Sequence, residues 1–140
     1  EVAGNNGVFA EKLLRKVPDF DLAYTVIDSV PLDVGNDKIR HIDAFLETES
    51  AHLFRGLSPG LVIIRHALAH NKSIRKFFED IVTILHPDFI YIENASLVET
   101  YRSRDYSQLY SEHFFHVSPP STDFHIPLPL PPLLTYQGNL

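Results

Sequence analysis

The chain has 140 residues, 44% hydrophobic and 21% charged, which suits one globular domain able to bury its own core. Twelve basic against eighteen acidic side chains give a net charge of −6, which speaks against general nucleic-acid binding. There is no cysteine, so disulfides, thiolate metal sites and a thiol nucleophile are excluded, and no apolar run approaches the roughly 20 residues of a membrane helix.

In chain order, Val8 to Val17 has helical spacing at Phe9, Leu13, Leu14 and Val17, and Pro18 closes it. Leu22 to Val30 is ambiguous: Tyr24, Thr25, Val26 and Ile27 favour a strand, while Asp19 or Asp21 could cap a short helix. Asp37 is the N-cap of an expected helix with Ile39, Ile42, Leu46 and Leu53 inside and Gly56 as its stop. Ser58-Pro59 reads as the cap and first position of another helix through Leu61 to His70. Ser73 caps the clearest helix, with Ile74, Phe77, Phe78, Ile81, Val82 and Leu85 on one face, and His86-Pro87 ends it. Asp88 to Glu93 reads as a short extended link. Asn94 or Ser96 opens a long helix with Leu97, Val98, Tyr101, Leu109, Tyr110, His113 and Phe114 on one stripe.

Composition shifts at Val117. Six of the ten prolines follow it, and Asp123 is the only charged side chain there. PLPLPPLLTY, Pro127 to Tyr136, cannot be helical and should be extended. Ile126, Leu128, Leu130, Leu133 and Leu134 are too apolar for a solvated linker, so they are expected to pack on the chain's own core or on a partner. The sequence thus divides into residues 1–117, a helical domain, and 118–140, an extended Pro-rich arm.

The stretch LVIIRHALAHN, Leu61 to Asn71, has two readings. As a helix it sets His66 and His70 one turn apart, a metal-capable pair for which His113 and His116 on the last helix are further ligands. As a strand ending in Arg65-His66 it resembles the signature of the histidine phosphatase superfamily. That resemblance implies a phosphate-accepting His66, a phosphate clamp in Arg65 and an α/β sheet. His86-Pro87-Asp88 resembles the tripeptide of the J-domain co-chaperones, which implies stimulation of Hsp70 ATPase activity between two helices. The Ser-Pro entry favours the helix for Leu61 to Asn71.

The expected fold is mainly α: a single domain of about five helices with a Pro-rich C-terminal strap, an α/β sheet being the alternative. The expected function is a binding or structural subunit acting through protein–protein contacts, with a protein partner or a second copy and no catalytic constellation. A histidine-based metal or cofactor site on His66, His70, His113 and His116, of unspecified occupant, is the rival. Glu1 as first residue and the absence of methionine lead us to expect a processed chain of secreted or organellar destination.

Overall fold

A computed structural model of the chain describes residues 1–108, 113–114 and 133–135. The fold is mixed α/β, not mainly helical. Its strands are β1 (Tyr24–Ile27), β2 (Ile39–Ile42), β3 (Leu61–Arg65), β4 (Phe89–Glu93) and β5 (Leu133–Thr135), and its helices are α1 (Val8–Lys16), α2 (Ile74–Asp80) and α3 (Leu97–Ser103). Among the described residues every strand pairing is parallel: β1 with β2, β3 with β4 and β4 with β5. Val2 joins the two groups by bridging Ile27 and Ile64, with its N–H donated to the Ile63 carbonyl at 2.9 Å. The order across the molecule is therefore β2, β1, Val2, β3, β4, β5.

Alternate strand residues face opposite sides, and both sides are covered. On one, Tyr24, Val26, Ile39 and Ile63 pack with Ala10 and Leu14 of α1. On the other, Ile27, Ile42, Val62, Ile64 and Ile90 pack with Ile74, Phe77 and Phe78 of α2, and with Ile81 and Leu85 of the π-helical turn that follows it. This is a helix–sheet–helix sandwich. It explains why β3 reads as a continuous apolar run: a parallel strand buried on both faces shows no alternation.

Three helical expectations are thereby corrected. Asp37 opens no helix: Ile39 and Ile42 lie on β2, and only Thr48–Phe54 coils, as a 3-10 helix. Ser58-Pro59 leads into β3, with a 3-10 turn at Leu68–His70 after it. The long last helix stops early, because Arg104 turns left-handed at φ 57° behind α3. Leu109 and Tyr110 lie outside the described residues. The expected helices at Val8 and Ser73 are present, and Ser73 caps α2 by accepting the Lys76 N–H at 3.3 Å.

The His86-Pro87-Asp88 turn leads from the helical segment into β4, not into a second helix, so the helical hairpin implied by the co-chaperone resemblance is absent. Of the Pro-rich arm, Leu133–Thr135 pairs along β4; Ile126, Leu128 and Leu130 lie outside the described residues. No helix among the described residues is long and apolar enough to cross a membrane.

Gly7 marks the turn from Val2 into α1. It sits at φ +80°, and a Cβ there would lie 2.7 Å from Leu32 Cδ2. Gly7→Ala combines left-handed strain with a clash and is expected to cost about 1–3 kcal/mol of stability, read by urea unfolding.

Candidate active-site crevice

Because β1 to β5 run parallel, their carboxyl ends share one edge, and that edge is polar. Asp28 follows β1, Asp43 follows β2, Arg65 and His66 end β3, and Glu93 ends β4. From Val2 the chain steps outward to β1 and β2, then returns to the other side of Val2 as β3. The winding direction reverses between Val2 and β3. In open α/β sheets such a reversal opens a crevice at the carboxyl ends of the strands, where ligands bind. Here a crevice of about 750 Å³ opens at that place, lined among others by Gly4, Asn5, Asp28, Phe45, Arg65 and His66.

Backbone strain gathers on the same edge. Among the described residues, five non-glycine residues have positive φ. His86 and Arg104 are ordinary helix terminators. The other three, Ala3 (56°), Asn5 (52°) and His66 (53°), all line the crevice. Each such residue costs about 1 kcal/mol or more, and strain of this kind clusters at functional sites.

The first loop, Ala3 to Gly7, is held by its own side chains. The Asn5 N–H donates to Asp28 Oδ2 at 2.7 Å and the Asn6 N–H to Asn5 Oδ1 at 2.7 Å. The Gly7 N–H donates to the Gly4 carbonyl at 3.3 Å, and the Val8 N–H to Asn6 Oδ1 at 3.5 Å. Asp28 Oδ1 accepts from the Val30 N–H at 2.9 Å, so the carboxylate braces two loops. Of the amides leading into α1, those of Asn5, Asn6, Gly7 and Val8 are thus bonded, and a carboxylate stands beside them. Phosphate sites at helix N-termini need the opposite: free N–H groups and no competing anion.

Two of the crevice cations, Arg65 and Lys76, are engaged as well. Arg65 stands opposite Glu93 in the β3–β4 register and donates to it from Nε at 3.1 Å and Nη2 at 3.3 Å. Its guanidinium also lies 4.0 Å from Glu1 and 3.9 Å from the Phe9 ring centroid. Lys76 is paired with buried Asp80, and the Thr48 hydroxyl donates to Asp80 at 3.1 Å.

His66 Nε2 is 3.0 Å from Glu93 Oε1. Hydrogen bonding from Arg65 holds the Glu93 carboxyl below its ordinary pKa. Burial pushes Glu1 the other way, upward. A depressed carboxyl contributes stability that is present above its unfolded value and lost as pH falls through the folded one. Glu93→Gln is therefore expected to flatten the acid limb of stability as pH falls below the ordinary carboxyl value of 4.5, seen by urea unfolding at a series of pH values. The effect should be modest, since the Glu93 side chain is one-third exposed.

The residues expected to bind metal are distributed differently. His70 and His113 bring their rings to 4.7 Å in an edge-to-face arrangement. His66 is turned onto Glu93, and His116 lies outside the described residues. Among the described residues, no group of three or more His, Cys, Asp or Glu side chains is placed to hold a metal ion. The strand that the phosphatase resemblance requires does exist, but Arg65 is bound by carboxylates instead of facing free space, and His113 packs on His70. Sequence reading singled out Arg65 and His66 but missed Asp28, Glu93 and the loop at Gly4. Their one signal was a glycine-bearing turn after an apolar residue, with an acidic residue about twenty positions on at the end of the next strand.

The chain is thus a doubly wound α/β protein with a polar crevice at its switch point. Searches against family models, curated proteins and solved structures find no match.

Proposed function

We propose that the crevice binds a nucleoside-bearing cofactor whose tail is cationic and carries no phosphate, the chemistry of S-adenosylmethionine, and that the chain serves group transfer from it. The observation that carries this reading is the Asp28 carboxylate bonded to the Asn5 amide at the switch point. In doubly wound folds a carboxylate at the end of the second strand accepts from a ribose hydroxyl. Here the same group occupies the Asn5 amide, which disfavours a pyrophosphate by the loss of that donor and by like charge. Phe45, 68% exposed on the rim, offers a ring face on which a base can stack.

A thermal-shift panel tests the reading. S-adenosylhomocysteine and S-adenosylmethionine are expected to raise the melting temperature, while NAD and ATP at equal concentration do not. A larger shift with NAD or ATP, or no shift with the adenosyl compounds, would overturn it. Contact through the Pro-rich arm stays a separate proposal. It rests on side chains outside the described residues, and the crevice neither needs it nor adds to it.

A further inference from the structure

We propose that His66 is a general base that takes the proton from a hydroxyl-bearing acceptor, such as a phenol, bound in the crevice; this rests on the adenosyl reading above. A base must be oriented by a second group, kept in one tautomer, and open to the substrate. His66 meets all three conditions. Glu93, ionised through its bonds to Arg65, can only accept, so His66 Nε2 carries the hydrogen and donates it. Nδ1 is then the lone-pair nitrogen. The ring lines the crevice with a side chain 54% exposed, open to an incoming ligand.

The backbone supports the same role. A left-handed histidine directly after a strand costs stability, and its ring is bonded to Glu93 at the end of the neighbouring strand. The His66 N–H is fixed by the Glu93 carbonyl at 2.7 Å, so Glu93 holds both backbone and ring. The charged groups around the ring are Glu93 and Arg65 on the strands, Glu1 behind Arg65, and Asp28, Glu47, Lys72 and the Lys76–Asp80 pair on the crevice walls, with His70 in the turn after β3. Glu93 is the one bonded to the ring, and it stabilises the imidazolium that forms.

The step balances. The acceptor O–H proton passes to Nδ1, leaving an oxyanion in the crevice. That oxygen forms an O–C bond to the sulfonium methyl group as the S–C bond breaks, with the electron pair remaining on sulfur. The proton then leaves the imidazolium for solvent.

The probe is 4-nitrophenol, whose phenolate is yellow and whose phenol is not. With S-adenosylhomocysteine at saturation and pH held below the phenol's own pKa, the wild-type chain is expected to produce the phenolate band. His66→Asn, which tolerates the left-handed backbone, should reduce the band roughly tenfold or more. Glu93→Gln should reduce it in part, with circular dichroism unchanged in both variants. No band in the wild type, or an equal band in His66→Asn, would overturn the proposal. The two readings fail separately. Adenosyl binding without a His66-dependent band removes the base and leaves the cofactor site; a His66-dependent band without adenosyl binding does the reverse.

Discussion

Replacing Ile64 by alanine is expected to lower the unfolding free energy by about 2–5 kcal/mol, a large share of the 5–15 kcal/mol typical of a domain. Ile64 is fully buried, lies beside the Val2 bridge and belongs to the cluster that packs on α2. The neighbouring strand and helix leave little room to collapse into the void. Leu53→Ala is the contrast. That leucine was expected inside a helix, but it is 43% exposed on a 3-10 turn, so its loss should cost well under about 1.5 kcal/mol. Urea unfolding of both variants reads the difference. Similar costs at the two positions would contradict the sandwich.

Removing the Asp28 carboxylate is expected to weaken adenosyl binding roughly 10- to 100-fold. This follows from losing one hydrogen bond to a charged group, worth about 1.5–3 kcal/mol. Asp28→Ala also frees the Asn5 and Val30 amides that the carboxylate now braces. Asp28→Asn separates the two effects, because it keeps an acceptor and removes the charge. If the carboxylate is what excludes phosphates, that variant should gain affinity for ATP or NAD while losing it for S-adenosylmethionine. Calorimetric titration of the three proteins checks the order. An Asp28→Asn chain indifferent to every ligand would place the ligand elsewhere.

How much of this was legible in the sequence depends on the element. The helices at Val8 and Ser73 could be read because each is covered on one side only, leaving a clean stripe. The strands are harder: Tyr24 to Ile27 is ambiguous, Asp88 to Glu93 reads only as an extended link, and β2 and β3 read as helices, because the sheet is buried on both faces. Ile39 and Ile42 show why. A spacing of three mimics a helix face, yet on β2 the two side chains point to opposite clusters and both are buried. Leu61 to Arg65 is too short an apolar run for periodicity to separate strand from helix. The Ser-Pro signal before it was genuine turn chemistry read as a helix start.

The site was hidden for a related reason. Arg65 and Glu93 become neighbours only once β3 and β4 are in register, and Asp28 meets Asn5 only once Val2 lies between β1 and β3. The histidine spacing was visible but misleading. His66 and His70 sit one helical turn apart only if the segment is a helix, and the left-handed turn at His66 ends that relation.

The central claim is that the strand ends at the switch point form a phosphate-free nucleoside site. Its most direct test is amide chemical-shift mapping by NMR as S-adenosylhomocysteine is added. The largest shifts are expected at Gly4, Asn5, Asp28, Phe45 and His66, with the far ends of the strands, near Leu61 and Phe89, unmoved. Saturating shifts at those far ends, or none at the crevice, would contradict it.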